Sequence, residues 1–191
     1  MKRVVFGSFR IVAMALVVAA PAQYAGGQQS APAPAPAPAS NKLVLRLLTS
    51  GGPSNGPTSG RESMAFTVDE LAAMPQIRVT VHNPHSNADE SYSGVLLIDL
   101  LAKVGAPRGK DLHGKGLSDY VVASGSDGYK AVLALAEVDP EFHPGQVIVA
   151  DAMNGKPLDA KTGPFKLIVS EDKRPARSVH SLVSIEVRSA E

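Results

Sequence analysis

The chain has 191 residues, a formal net charge of +1 and no cysteine, and this length is enough for one domain with its own hydrophobic core. The absence of cysteine excludes a disulfide framework and any chemistry that depends on a thiolate. Without the three basic residues near its start the chain has a formal charge of about −2 and no basic stripe, so nucleic acid is not predicted as a partner.

The first 22 residues have the layout of a secretory signal peptide. Lys2 and Arg3 precede an apolar run over residues 11–20, and Ala20-Pro21-Ala22 supplies small residues for cleavage. The run is shorter than the roughly 20 residues that cross a bilayer, although an uncleaved anchor stays open as an alternative. The sequence therefore predicts a periplasmic or secreted protein, with no membrane-spanning segment in the mature chain.

Residues 23–41 form the next segment, in which Ala and Pro alternate from Ala31 to Ser40. This composition cannot bury enough apolar surface to fold, and it favours an extended spacer. We predict a disordered linker. It either holds the following domain beside a membrane-associated partner or simply separates that domain from the cleavage site.

The domain that we predict for residues 42–191 begins with an apolar strand over residues 42–49. A loop rich in Gly, Pro and Ser follows this strand. Thr67 and Glu70 then have capping-box spacing, because each side chain can bond to the backbone of the other. This spacing predicts a short helix that begins at Thr67 and ends at Met74.

The middle of the domain contains a strand, a helix and a hairpin. Apolar and polar residues alternate over residues 76–82, which predicts a half-buried strand. The apolar spacing over residues 96–104 predicts a helix that packs on the core. Two β-compatible segments, residues 120–123 and 130–133, flank Asp127-Gly128 and are predicted to form a hairpin.

The last third of the domain is predicted to contain a short helix over residues 135–138 and strands over residues 146–150, 165–169 and 179–187. Many short strands with a few short helices, and no repeated βαβ spacing, predict an α+β fold with a mixed sheet. Nucleotide-binding, serine hydrolase and zinc protease motifs do not occur, so hydrolase, kinase and dehydrogenase chemistries have no direct support.

Several local strings, taken in order, resemble one known family. Each string is moderately specific, whereas their order and spacing together are much stronger evidence. The strings are Ser93–Leu97 with Asp99–Leu101 and Gly105, Asp127–Tyr129, Asn154–Leu158, Gly163–Val169, and Arg177–His180 with Ile185–Val187. Over residues 66–188 the chain resembles the oxidoreductase molybdopterin-binding domain of the sulfite oxidase family. That resemblance implies a mixed, barrel-like β-sheet with a few short helices, and a molybdopterin cofactor.

The chain departs from this family at the metal ligand. In catalytic members a cysteine follows the strand before the Gly-Val-x-Leu helix and its thiolate binds molybdenum, whereas here the matching stretch is Val79–His85. The leader also lacks the twin-arginine signal that exports folded cofactor proteins. Both departures favour an exported ligand-binding domain without molybdenum redox activity. A molybdopterin-dependent oxidoreductase with non-cysteine ligation, and a periplasmic metal-binding or protein-interaction module, stay open as alternatives.

Four potential metal ligands, His82, His85, Asp89 and Glu90, lie in one predicted loop at this place. Imidazole and carboxylate groups suit Zn²⁺, Cu²⁺, Ni²⁺ or Fe²⁺, and a loop can bring them together without helical spacing. The four residues are therefore candidate ligands for a divalent transition metal, while a solvated polar loop that simply contains two histidines is the interpretation that the composition favours.

A second group of candidate residues lies near the C-terminus. Lys173, Arg174 and Arg177 place three cations near a strand end, and guanidinium groups can hold a phosphate or carboxylate through two hydrogen bonds. Ser178 and His180 follow, where the family has Ser-Val-Lys-Trp. The resemblance implies that these residues bind a pterin or another small anionic ligand. The alternative is a solvated turn in which neighbouring acidic residues pair with the cations.

Overall fold

A computed structural model describes residues 41–48 and 62–190. The predicted signal peptide, residues 1–22, and the predicted linker up to residue 40 lie outside the described residues, as do residues 49–61. Within the described ranges, no helix is both long and apolar enough to span a membrane.

Across residues 41–48 and 62–190, ten strands form two sheets. In chain order the strands are β1 (Lys42–Leu48), β2 (Glu62–Thr67), β3 (Ile77–Asn83), β4 (Ala88–Leu96), β5 (Asp119–Gly125), β6 (Lys130–Ala134), β7 (Val147–Met153), β8 (Lys156–Pro157), β9 (Lys166–Val169) and β10 (Leu182–Ser189). The first sheet has the order β2-β1-β10-β5-β6, and the second has the order β3-β4-β7-β8, with β9 also paired to β7.

The first sheet is mixed, as the sequence predicts. Strands β1 and β10 pair in parallel, whereas its other neighbouring strands are antiparallel. Parallel strands need a long crossover connection between them. Here the whole segment of the chain between β1 and β10 forms that connection. The pairings of the second sheet are antiparallel. The predicted α+β class with a mixed sheet is therefore confirmed.

At its centre, along residues 147–150 of β7 and all of β9, the second sheet is buried on both faces because it separates two hydrophobic clusters. Along β7, Val147 and Val149 point into the main core, whereas Ile148 and Ala150 point into a smaller cluster on the opposite face. This alternation is the period of two expected for a strand. The smaller cluster also contains Tyr92, and it is the part of the fold that positions the polar groups described below.

In the part of the chain that the structure describes, two short helices lie between strands. Helix α1 (Val68–Ala72) begins at the predicted capping box, with Glu70 N donating to Thr67 Oγ1 at 3.3 Å and Thr67 N donating to Glu70 Oε2 at 2.8 Å. Helix α2 (Leu97–Ala102) is shorter than the predicted span. Its C-terminal turn ends at Gly105, which has a φ of 83°. Among the described residues there are also 3₁₀ turns at Gly109–Asp111, Gly114–Ser118, Leu135–Val138 and Pro175–Arg177.

The hairpin of β5 and β6 lies where the sequence predicts it, and Gly128 in its turn has a φ of 84°. The prediction of a loop over residues 82–90 is wrong. Strands β3 and β4 pair along their full length there, and the hairpin turn is confined to residues 84–87. Strand β4 is hard to recognise from the sequence because residues 88–91 are polar or small. Its pairing with β3, and not its own residue pattern, determines its structure.

Candidate functional site

The predicted metal ligands lie on the β3–β4 hairpin. His82 in β3 faces Asp89 in β4, with His82 Nδ1 3.0 Å from Asp89 Oδ1. Both side chains are mostly exposed, so this contact stabilises the hairpin little. His85 lies in the turn, where its backbone N–H donates to Asn83 Oδ1 at 2.9 Å.

Glu90, the fourth predicted ligand, has both carboxylate oxygens engaged. Oε1 accepts a hydrogen bond from Asn83 Nδ2, and Oε2 accepts one from Tyr92 Oη, each at 2.7 Å. Partial burial acts to raise the pKa of Glu90, but these hydrogen bonds outweigh it and the pKa lies below its ordinary value. Among the residues of the described ranges, no three His, Cys, Asp or Glu side chains are grouped to hold a metal ion. The divalent metal site stays a prediction.

Tyr92 connects Glu90 to a buried lysine. Lys166 in β9 is 7% exposed and Tyr92 in β4 is 1% exposed. Lys166 Nζ donates to Tyr92 Oη at 2.7 Å and lies 4.5 Å from the centre of the ring. Burial lowers the pKa of Lys166, while the negative charges of Glu90 and Asp159 oppose this effect. The chain of contacts from Lys166 through Tyr92 to Glu90 therefore satisfies a cation that is costly to bury.

Sequence reasoning missed both Lys166 and Tyr92. The available signal was that Lys166 interrupts the apolar run of residues 165–169. A lysine within a strand that is buried on both faces needs a polar partner, and this requirement marks it as unusual. The partner itself lies 74 positions earlier and could not be identified from local sequence.

Arg177 is held by acidic neighbours, which is the alternative that the sequence offered for the predicted cations. Its Nε and Nη2 donate to the two carboxylate oxygens of Asp172 at 2.9 and 2.7 Å, and its Nη1 donates to Glu137 Oε1 at 3.1 Å. These bonds raise the pKa of Arg177 further above its ordinary value, with Asp172 making the largest contribution. The guanidinium lies in a recess of about 90 Å³ that also contains His143. An anion would therefore have to compete with these two carboxylates for Arg177.

A second, more open depression lies between the β5–β6 turn and the segment before β10. We call it the tyrosine cleft; it has a volume of about 270 Å³ and is lined by Asp127, Tyr129, Pro175, Ala176, Ser178 and His180. The Tyr129 side chain is 49% exposed, yet its hydroxyl donates to Ala176 O at 2.6 Å. The side chain is therefore anchored at its hydroxyl while about half of it is open to solvent.

The predicted anion-binding residues are only partly brought together. Ser178 and His180 line the tyrosine cleft, although Ser178 is buried and its Oγ accepts from Val169 N at 3.4 Å. Lys173 and Arg174 are exposed on the segment that leads into the cleft. Arg177 lines the other recess. The structure thus separates Arg177 from the other predicted residues.

The chemistry of the available side chains does not fit a cysteine-ligated molybdenum centre. The sequence contains no cysteine, and the stretch Val79–His85 offers amide and imidazole groups in place of a soft thiolate. Within that stretch, Asn83 donates to Glu90. We therefore derive no redox step for these residues.

Comparison with solved structures establishes the fold. The crystal structure of the sulfane dehydrogenase SoxCD from Paracoccus pantotrophus matches with a TM-score of 0.57 and 16% sequence identity. The match covers 83% of this chain and 40% of the SoxCD chain, so the chain spans less than half the length of that protein. No curated protein matches the sequence. The family model described as oxidoreductase molybdopterin binding domain matches residues 58–191. The chain therefore belongs to the oxidoreductase molybdopterin-binding domain family.

Proposed function

We propose that this protein is an exported ligand-binding domain whose tyrosine cleft binds a small, planar, anionic ligand of the pterin class, without the molybdenum redox activity of cysteine-containing family members. The observation that carries the proposal is the cleft itself, in which the exposed, anchored ring of Tyr129 lies beside His180. A fixed aromatic ring offers a stacking surface at low entropic cost.

The charge around the cleft supports an anionic ligand. Lys173 and Arg174 are exposed immediately before Pro175, which is part of the cleft wall. In the described ranges neither side chain forms an ion pair, whereas Arg177 forms two. Their charges therefore remain available to a phosphate or carboxylate at the edge of a bound ring.

The proposal is tested by titrating the full chain with pterin-6-carboxylate and following the fluorescence of this probe. The double variant Lys173→Ala/Arg174→Ala should bind the probe about tenfold more weakly, because two surface charges near the ligand are lost. The matched control Lys110→Ala/Lys115→Ala removes two exposed cations from the 3₁₀ turns Gly109–Asp111 and Gly114–Ser118, which contribute no residue to the cleft wall, whereas Lys173 and Arg174 directly precede Pro175 in that wall. The proposal would be contradicted if both double variants bound the probe equally weakly, or if neither bound it more weakly than the unsubstituted protein.

The absence of molybdenum chemistry is tested separately. Protein purified from its native host under molybdate-replete conditions should contain no stoichiometric molybdenum. Stoichiometric metal would favour non-cysteine ligation and an oxidoreductase instead. N-terminal sequencing of the same sample tests the export proposal, because a cleaved leader would place the first residue near position 23.

A further inference from the structure

We propose that His180 makes the tyrosine cleft an acid-sensitive anion site: the imidazole is neutral near pH 7 and becomes a cation on acidification, so that anions bind more tightly as the pH falls. The titration of His180 is independent of the proposed function, whereas its effect on binding rests on that function.

The backbone around His180 is held from both sides. Leu167 N donates to Val179 O at 2.9 Å, and Leu182 N donates to Phe165 O at 2.8 Å, so this segment lies directly against β9. On the other side, Ser126 N of the β5–β6 turn donates to Ser181 O at 3.0 Å. Val179 is fully buried in the main core, whereas His180 is exposed at the cleft. The imidazole is therefore carried by a fixed backbone between β9 and the turn.

Lys166 in β9 supplies a fixed positive charge. It lies on the same face as Ile168, opposite to Leu167, because side chains alternate along a strand. The hydrogen bond to Tyr92 Oη holds the ammonium group in place, and Tyr92 in turn donates to Glu90. A cation held in place by this hydrogen bond disfavours a second positive charge nearby.

Charged groups from four elements act on His180. Partial burial lowers its pKa most, and Lys166 in β9 lowers it further. Asp127 in the β5–β6 turn, Asp159 in the loop after β8 and Glu90 in β4 each raise it. The lowering contributions dominate, so the pKa of His180 lies below the ordinary value of 6.5.

This balance determines the charge of the cleft. When His180 is neutral, above its pKa, it does not offset the carboxylate of Asp127, which lines the cleft and opposes anion binding. Below that pKa the imidazolium opposes Asp127 and can donate from both ring nitrogens. Acidification therefore adds positive charge to the cleft and strengthens its attraction for an anion.

The titration is measured by NMR on the full chain with labelled histidine, and His180→Gln identifies the resonance. His180 should titrate below pH 6.5 in the unsubstituted protein. In Lys166→Met the loss of the neighbouring charge should raise this pKa, whereas the control Lys166→Arg retains the charge and should keep it low. Titration of His180 at or above pH 6.5, or the same pKa in the Met and Arg variants, would overturn the proposal.

Binding is measured by calorimetry with sulfate, because this anion keeps its charge between pH 5 and pH 7.5. Affinity should be about five- to tenfold higher at pH 5 in the unsubstituted protein and should not change with pH in His180→Gln. Equal affinity at the two pH values in the unsubstituted protein would overturn the effect on binding. Sulfate that binds at neither pH would instead count against the proposed anion site, while the NMR titration would still decide the behaviour of His180.

Discussion

Tyr92 is the residue on which the buried polar network depends, because its hydroxyl both accepts from Lys166 and donates to Glu90. Removing it leaves a buried ammonium group and a carboxylate each without one partner. Buried groups that lose a partner cost about 1–3 kcal/mol, and more when they are charged. Tyr92 thus links the ammonium group of Lys166 in β9 to the carboxylate of Glu90 in β4.

We predict that Tyr92→Phe lowers the free energy of unfolding by about 2–3 kcal/mol in urea titrations at pH 7.5. Tyr129→Phe is the matched control, because its hydroxyl makes one hydrogen bond, to Ala176 O, in a half-exposed position. The control should lose about 1 kcal/mol or less. Similar losses in the two variants would mean that the Lys166 network contributes no special stability.

At the scale of single elements, local signals predicted structure well and distant pairings did not. The capping box at Thr67 and Glu70 and the turn at Gly128 were predictable because each depends on residues a few positions apart. Strand β4 was not, because its pairing with β3 and β7 places polar residues in a ladder that their own pattern does not indicate. The same limit applies to the site, since the contact from Lys166 to Tyr92 joins two strands far apart in sequence.

Within β4, Gly94 permits the close approach of β7. A Cβ atom at this position would lie 2.1 Å from Val149 O and 2.6 Å from the Cα of Ala150, both of which are backbone atoms. Gly94→Ala should therefore force the strands apart and lower the melting temperature strongly, by an amount that corresponds to about 3 kcal/mol. Gly116→Ala is the control, because its Cβ would meet only side-chain atoms at 3.4 Å or more. Comparable melting temperatures for the two variants would show that β4 and β7 can separate without cost.

At the scale of the whole molecule, the acidic and basic groups make stability depend on pH in a defined direction. Hydrogen bonds from Arg188, with a smaller contribution from Arg46, hold the pKa of Glu186 below 4.5. A carboxylate with a lowered pKa in the folded state contributes stability above its unfolded pKa, and this contribution is lost as the pH falls through the folded pKa. The pKa of His180 lies below 6.5 in the folded state. As the pH falls below 6.5, the unfolded chain therefore binds a proton at this residue before the folded chain does, and the folded state loses stability. Asp151 acts in the opposite direction, because burial raises its pKa.

We therefore predict that acidification lowers the free energy of unfolding in two stages, which urea titrations at pH 7.5, 5.5, 4.0 and 3.0 would resolve. The first stage begins near pH 6.5 and should disappear in His180→Gln, because this variant has no imidazole to titrate at the cleft. The second begins near pH 4.5 and should become smaller in Glu186→Gln, because this variant removes the carboxylate that joins β1 to β10 through Arg46. If the first stage were unchanged in His180→Gln, other groups would be responsible for this fall in the free energy of unfolding. In that case the cleft would have no measurable influence on the stability of the fold that carries it.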